Sequence, residues 1–138
     1  MAVTVNLYCD GGWLTDFEAA KKAAAEKKMP ILADFSGSDW CGWCIKLDKE
    51  VFSKKEFKAF AKDNLVLFLA DFPRKKQRDK KIKKQNADLS KKYTIKGFPT
   101  VLLLDAEGKV FARTGYEEGG AAAYVEHLKK LLPEQTKK

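Results

Sequence analysis

Residues 30–44 read PILADFSGSDWCGWC, and this stretch decides the fold. Residues 30–35, which are apolar except for Asp34, are typical of a short buried strand, and the polar residues 36–39 that follow predict a turn. Cys41 and Cys44 come directly after that turn, at the point where a helix is predicted to begin. Two cysteines three residues apart at a helix start can close a small disulfide ring with little movement of the backbone.

This position favours thiolate chemistry at Cys41. The first turn of a helix has unpaired N–H groups and the positive end of the helix dipole, and both stabilise a negatively charged sulfur. A thiol with an ordinary pKa of about 8.5 is only ~3% thiolate at neutral pH, whereas a pKa of about 7 makes it roughly half thiolate. The spacing of the two cysteines is therefore suited to thiol–disulfide exchange.

Two other interpretations of Cys41 and Cys44 remain open. The pair could form half of a zinc site, for which Cys9 and His127 are the only further cysteine and histidine, far apart in the chain. Two buried and unreactive thiols are the other alternative. We expect His127 to be an ordinary surface residue of the last helix and Cys9 to take no part in exchange chemistry.

The rest of the chain alternates helices with strands. Capping boxes at residues 15–18 and 53–56, with Thr15 and Ser53 as the caps, predict the starts of two helices. A last helix is predicted over residues 121–132.

Three further segments read as strands. Residues 65–70 form a continuous apolar run, of the kind buried on both faces of a sheet. Residues 100–104 and 109–114, joined by a turn, predict a hairpin. The order of elements predicts an α/β fold, in which a central mixed sheet has helices on both faces.

The size and composition of the chain exclude several classes of protein. Its 138 residues are a single-domain length, and 45% hydrophobic with 33% charged residues is a globular composition. The longest apolar run has six residues, whereas a membrane span needs about twenty. We expect one domain over residues 1–138, with residues 1–12 as an N-terminal extension and no membrane span.

The net charge of +8 is concentrated in one segment. Residues 74–84, RKKQRDKKIKK, contain eight basic residues and one acid, so the rest of the chain carries a net charge of only +1. The segment has no aromatic residue that could stack on bases, which argues against a nucleic-acid partner. We expect a basic helical insertion, either a solvated face or a docking patch for an acidic partner.

A second motif gives the pattern its family likeness. Residues 97–100 read GFPT and lie at the start of a predicted strand. Residues 40–44 read WCGWC and follow another predicted strand. With these two motifs the chain resembles the thioredoxin superfamily over residues 13–132. The stretch at residues 34–41, DFSGSDWC, is especially similar to exported bacterial thiol:disulfide interchange proteins and disulfide isomerases.

The resemblance implies roles for individual residues. Cys41 corresponds to the attacking cysteine and Cys44 to the resolving cysteine. Pro99 corresponds to a proline that is cis in this fold, beside which the backbone of Phe98 pairs with an extended substrate. Asp34 corresponds to a buried carboxylate that helps to deprotonate the resolving cysteine; the alternative is a strand carboxylate satisfied by nearby amides.

Trp40, Gly42 and Trp43 are the remaining expected substrate contacts. Trp43 is expected either in an apolar collar around a bound peptide or packed against its own helix. Thioredoxin has a lysine as the partner of its buried carboxylate, but residues 65–70 contain no lysine, and Phe68 is the nearest match.

The function implied by the resemblance is a thiol–disulfide oxidoreductase acting on protein disulfides, with the Cys41–Cys44 disulfide as redox centre and no cofactor or metal. Because no histidine lies between the cysteines, reduction or isomerisation is favoured over oxidation. A thioredoxin fold that binds an acidic partner through its basic segment, without turnover, is the alternative function.

The implied partners are protein thiol or disulfide substrates and a redox partner protein, with no nucleic acid. The implied state is a monomer in the periplasm or otherwise exported, and the cytoplasm is the alternative. Residues 1–9 contain no basic residue and do not read as a signal peptide.

Overall fold

The computed structural model describes residues 12–76 and 79–133, which form a four-stranded sheet between two layers of helices. The strands are β1 (Ile31–Ser36), β2 (Val66–Asp71), β3 (Thr100–Leu104) and β4 (Val110–Thr114). Their order in the sheet is β2-β1-β3-β4. Strand β1 runs parallel to β2 and antiparallel to β3, and β4 completes an antiparallel hairpin with β3. The predicted mixed α/β sheet is confirmed.

Helices cover both faces of this sheet. They are α1 (Phe17–Lys27), α2 (Gly42–Leu47), α3 (Lys55–Asn64), α4 (Lys80–Lys92) and α5 (Gly120–Leu131), and a π-helical turn over Asp48–Phe52 continues α2. No helix among the described residues is long and apolar enough to cross a membrane.

Two hydrophobic cores form because successive residues of a strand point to opposite faces. Leu32 and Leu103 pack with α3 and α5 on one face. Ile31 and Leu104 pack with α1 and α4 on the other. Strand β1 lies inside the sheet and all of its residues are buried, which explains why they are apolar apart from Asp34 and Ser36.

The parallel pairing of β1 and β2 brings two loops together. Ser36 at the end of β1 is the register partner of Asp71 at the end of β2. The loop at residues 37–40 therefore starts beside the loop at residues 72–76. The first of these loops leads directly to Cys41.

Local capping differs from the sequence prediction at two helices. Asp16, and not Thr15, caps α1, since its carboxylate accepts the Glu18 N–H at 3.2 Å. Ser53 does not cap α3, which begins at Lys55 without a side-chain cap. The Ser53 hydroxyl instead donates to the Lys49 carbonyl at 3.0 Å.

The start of α1 is also held from a distant part of the chain. Gln85 of α4 accepts the Phe17 N–H through Oε1 at 2.8 Å. Its Nε2 atom donates to the Thr15 carbonyl at 3.0 Å. Both bonds join residues about 70 positions apart.

The basic segment at residues 74–84 is helical in only one part, so the prediction of a helical insertion is wrong for residues 74–76, which lie in bends. Helix α4 begins at Lys80, where the Asp79 carboxylate accepts the Lys81 N–H at 2.7 Å. Residues 77 and 78 lie outside the described residues, as do residues 1–11 of the predicted N-terminal extension.

Candidate active site

The two cysteines lie where the loop after β1 gives way to α2. Cys41 is the N-cap of this helix, and it forms a disulfide with Cys44, with the Cα atoms 5.2 Å apart. The Cys44 N–H donates to Cys41 Sγ at 3.2 Å. A thiolate at an N-cap would accept this same bond. The predicted position of the pair at a helix start is confirmed.

The two sulfur atoms face different surroundings. Cys41 Sγ lies 3.7 Å from the carbonyl oxygen of Phe98. Cys44 Sγ accepts the Gly37 N–H at 3.4 Å, and Cys44 lines a cavity together with Asp34. Cys41 is 7% exposed and Cys44 is 5% exposed, so the two residues do not differ in burial. Their sulfur atoms differ in their contacts.

The loop before β3 forms one side of the site. The Phe98–Pro99 peptide bond is cis, as the resemblance implies. The ring of Phe98 meets Trp40 edge to face at a centroid distance of 5.7 Å, and Phe72 packs against it at 5.2 Å. The structure thus brings the predicted residues Trp40, Phe98 and Pro99 together beside Cys41.

Trp43 and Gly42 lie on the exposed side of α2. The Trp43 ring packs at 5.1 Å from Tyr116, and Lys46 Nζ lies 4.9 Å from the Trp43 ring centroid. Trp43 therefore contacts its own helix as well as the loop after β4, and it remains 56% exposed. At Gly42, no atom lies within 4 Å of the position that a Cβ would take.

Asp34 is a buried acid whose carboxyl group lines the same cavity as Cys44, a space of about 420 Å³. Only 7% of the residue is exposed, and its Oδ1 atom has no hydrogen-bond partner among the described residues. Burial, and then the charges of Asp48 and Asp71, raises the pKa of Asp34 to about 8. The alternative, a carboxylate that accepts hydrogen bonds from nearby amides, therefore does not hold for the Oδ1 atom of Asp34.

The neighbour of Asp34 on β2 differs from the one expected. Leu69 is its register partner, whereas Phe68 belongs to the core on the opposite face. Cations reach the cavity from other elements, because Lys58 of α3 and Lys76 of the loop after β2 both line it.

Asp71 fixes the loop that precedes Cys41. Its carboxylate accepts the Ser38 N–H at 2.9 Å and the Ser38 hydroxyl at 2.6 Å. Lys76 Nζ lies 3.9 Å from the same carboxylate. From the other side, Asn86 of α4 donates to the Asp71 carbonyl at 3.1 Å.

Asp39 fixes the loop that follows β2. Its carboxylate accepts the backbone N–H groups of Arg74, Lys75 and Lys76, at 2.9, 2.9 and 3.1 Å. These bonds, led by the one from Arg74, hold the pKa of Asp39 below its usual range. We call residues 74–76 the basic loop.

Trp40 completes the connection between the two loops. Its Nε1 atom donates to the Phe72 carbonyl at 2.7 Å. The guanidinium carbon of Arg74 lies 3.8 Å from the Trp40 ring centroid, a stacking contact between a cation and an aromatic face. One end of the basic segment therefore adjoins the disulfide.

The zinc interpretation gains no support from the described residues. His127 Nε2 is hydrogen-bonded to the Thr114 hydroxyl at 2.8 Å, and its ring packs on Tyr124. In residues 12–76 and 79–133 no group of three or more His, Cys, Asp or Glu side chains could hold a metal ion. Cys9 lies outside these ranges.

Comparisons with known proteins agree with this geometry. The family model described as a thioredoxin-like domain matches residues 17–131. The chain is 41% identical over 120 residues to the disulfide bond reductase DsbH of Chlamydia pneumoniae, covering 87% of this chain and 72% of that protein. It is also 32% identical over 103 residues to the thioredoxin-related protein DsbJ of the same organism, covering 75% of this chain and 30% of that one.

The fold has a solved counterpart. A structure of DsbH oxidoreductase superimposes with a TM-score of 0.82 at 35% identity, covering 91% of this chain and 90% of that one. The disulfide-bonded Cys41 and Cys44, taken with these relatives, make the protein a thiol–disulfide oxidoreductase. The chain belongs to the thioredoxin-like domain family.

Proposed function

We propose that the protein reduces disulfide bonds in other proteins. The observation that carries this proposal is the Cys41–Cys44 disulfide at the start of α2, with Cys41 Sγ facing the Phe98 carbonyl. The name of the 41% identical relative, a disulfide bond reductase, supports reduction over isomerisation. The absence of a histidine between the cysteines favours reduction or isomerisation over oxidation.

The reaction consists of two exchange steps. The Cys41 thiolate attacks one sulfur of the substrate disulfide, whose S–S bond breaks, and the other substrate sulfur leaves as a thiolate. The Cys44 thiolate then attacks Cys41 Sγ in the mixed disulfide, so that the second substrate sulfur leaves and the Cys41–Cys44 disulfide forms. The substrate gains two electrons, which the protein's dithiol loses, and a dithiol redox partner protein returns them.

The surroundings of each cysteine support its role. In the dithiol form, the Cys44 N–H beside Cys41 Sγ would stabilise the attacking thiolate. Asp34 would accept the proton of Cys44, since a base is most effective when its pKa lies near the working pH. Phe98 would offer its backbone to an extended substrate beside Pro99, with Trp40, Gly42 and Trp43 around the disulfide.

The setting of the reaction belongs to the same proposal. The likeness of residues 34–41 to exported bacterial proteins supports action in the periplasm, on protein thiols and disulfides. We take the protein to act as a monomer with a single domain over residues 1–138 and to use the disulfide as its only redox group. Light scattering of the purified protein and fractionation of the source cell test these points.

Turnover of a protein disulfide is the direct test. The dithiol form should release thiols from a generic disulfide-containing protein, and Cys41→Ser should abolish this release. In equilibrium with glutathione, the pair should show a reduction potential below about −220 mV, on the side of thioredoxin. A folded protein with no turnover would contradict the proposal and favour the alternative, a binding module that docks an acidic partner through its basic segment.

A further inference from the structure

The basic loop is built into the rim of the active site. Its three backbone N–H groups are held by Asp39, which precedes Trp40 and Cys41 in sequence. Asp71, at the end of β2, holds Ser38 of the same active-site loop. A displacement of the basic loop would therefore have to break bonds to the residues that lead into Cys41.

The side chains of the basic loop remain available for a partner. Asp39 binds the backbone N–H groups of this loop and not its cationic side chains. Arg74, Lys75 and Lys76 are all exposed. Arg74 lies on Trp40, and Trp40 in turn packs on Phe98, at the expected substrate strand. Two cations of the basic loop therefore lie near the active site, because Arg74 contacts Trp40 and Lys76 lines the same cavity as Cys44.

The carboxylates of Asp71 and Asp39 offset part of the charge of Lys76, and Arg74 and Lys75 add two further cations. Like charges close together repel one another, and the cations continue into Lys80 and Lys81 at the start of α4, where the helix dipole disfavours positive charge. Lys76 Nζ lies 3.9 Å from the Asp71 carboxylate, a long separation for an ion pair. The positive charge of the basic loop is thus complementary to an acid brought by a partner.

We propose that Arg74, Lys75 and Lys76 dock an acidic segment of the protein substrate, so that glutamate or aspartate side chains within a few residues of the target cysteine select it. This proposal rests on the reductase function proposed above, because it concerns which substrates that reaction selects. It commits to acidic protein segments because the loop adjoins the disulfide that acts on them, and because residues 74–84 contain no aromatic residue for stacking on bases.

Two matched sets of peptides separate docking from catalysis. One set carries a disulfide flanked either by Glu or by Gln, and the rate of its reduction by the dithiol protein is divided by the rate with neutral hydroxyethyl disulfide. The other set has Ser in place of Cys, and its binding to the oxidised protein is measured by fluorescence anisotropy. The second readout tests docking even if the first shows no turnover, which would contradict the reductase function alone.

The test variant is R74Q/K75Q/K76Q, and the control is K27Q/K28Q/K62Q. The control removes the same charge from exposed lysines that shortly precede β1 and β2, at the end of the sheet opposite the disulfide. Circular dichroism and urea unfolding check that both variants fold. Lys75→Gln alone gives a second test in which the Arg74–Trp40 contact is kept.

The parent protein should prefer the Glu peptides over the Gln peptides about five- to tenfold at low salt, and less at about 150 mM salt. The R74Q/K75Q/K76Q variant should lose most of this preference, Lys75→Gln part of it, and the control very little. The proposal would be overturned if the parent reduced and bound the Glu and Gln peptides equally well. It would also be overturned if the control lost as much of the preference as R74Q/K75Q/K76Q. Sub-micromolar binding of a single-stranded oligonucleotide at physiological salt that only R74Q/K75Q/K76Q abolishes would overturn it as well.

Discussion

Replacement of Asp34 by asparagine should stabilise the protein at neutral and alkaline pH. The carboxyl group is buried with Oδ1 unbonded among the described residues, and its pKa rises from 3.8 to about 8 on folding. Between these two values the folded state binds the proton that the unfolded state releases, so stability is complete below about pH 4 and falls as the pH rises towards 8. Asparagine cannot ionise, and the variant escapes this loss.

The size of the effect follows from the same two pKa values. Each pH unit between them corresponds to about 1.4 kcal/mol. The variant should match the parent near pH 4, exceed its free energy of unfolding by roughly 4 kcal/mol at pH 7, and gain no more above about pH 8. Titrations of other groups are common to both proteins and largely cancel in the difference.

Urea unfolding of the oxidised parent and Asp34→Asn from pH 4 to pH 9 provides the measurement. Asp88→Asn, on the exposed face of α4, serves as the control and should change stability by less than about 0.5 kcal/mol throughout. The reasoning would be refuted by a variant that is less stable at every pH, or by a gain that stays constant between pH 4 and pH 8.

Two other sets of variants test the site. Cys44→Ser should accumulate mixed disulfides with substrate, seen by mass spectrometry, and Cys41→Ser should not; the reverse pattern would exchange their roles. Gly37→Ala should destabilise the protein by about 1–3 kcal/mol in urea unfolding, because its Cβ would overlap the Trp40 indole. Gly42→Ala, in open space at the start of a helix, should be neutral or stabilising by up to about 1 kcal/mol; similar losses at both glycines would contradict the close contact with Trp40.

The strands and the position of the cysteine pair were predictable because the signals lie within a few residues of one another. Strand β1 is apolar apart from Asp34 and Ser36, and Cys41 follows the turn after it directly. Motif resemblance added the pairing of Cys41 with Pro99, 58 residues further on. Local pattern and family likeness together therefore located the disulfide and one wall of the site.

The bonds that organise the site could not be predicted in the same way. Asp39 and Asp71 act across separations of 33 to 37 residues, so the sequence shows only an acid before Trp40 and an acid at a strand end. The predicted helix caps are wrong for a related reason. Thr15 and Asp16 are both good cap residues, and contacts elsewhere in the fold decide between them.

The hydrogen bonds of Gln85 to the start of α1 bear on the order in which the molecule assembles. Helix α1 leaves the ribosome well before α4, so at first only the Asp16 carboxylate can secure its first turn. The Phe17 N–H finds its Gln85 partner only after β1 and β2 have been made and α4 has closed over the same face of the sheet. Closing so long a loop is slow compared with forming a helix. Helix α1, the first in sequence among the described residues, therefore has the hydrogen bonds at its start completed only after α4 has folded.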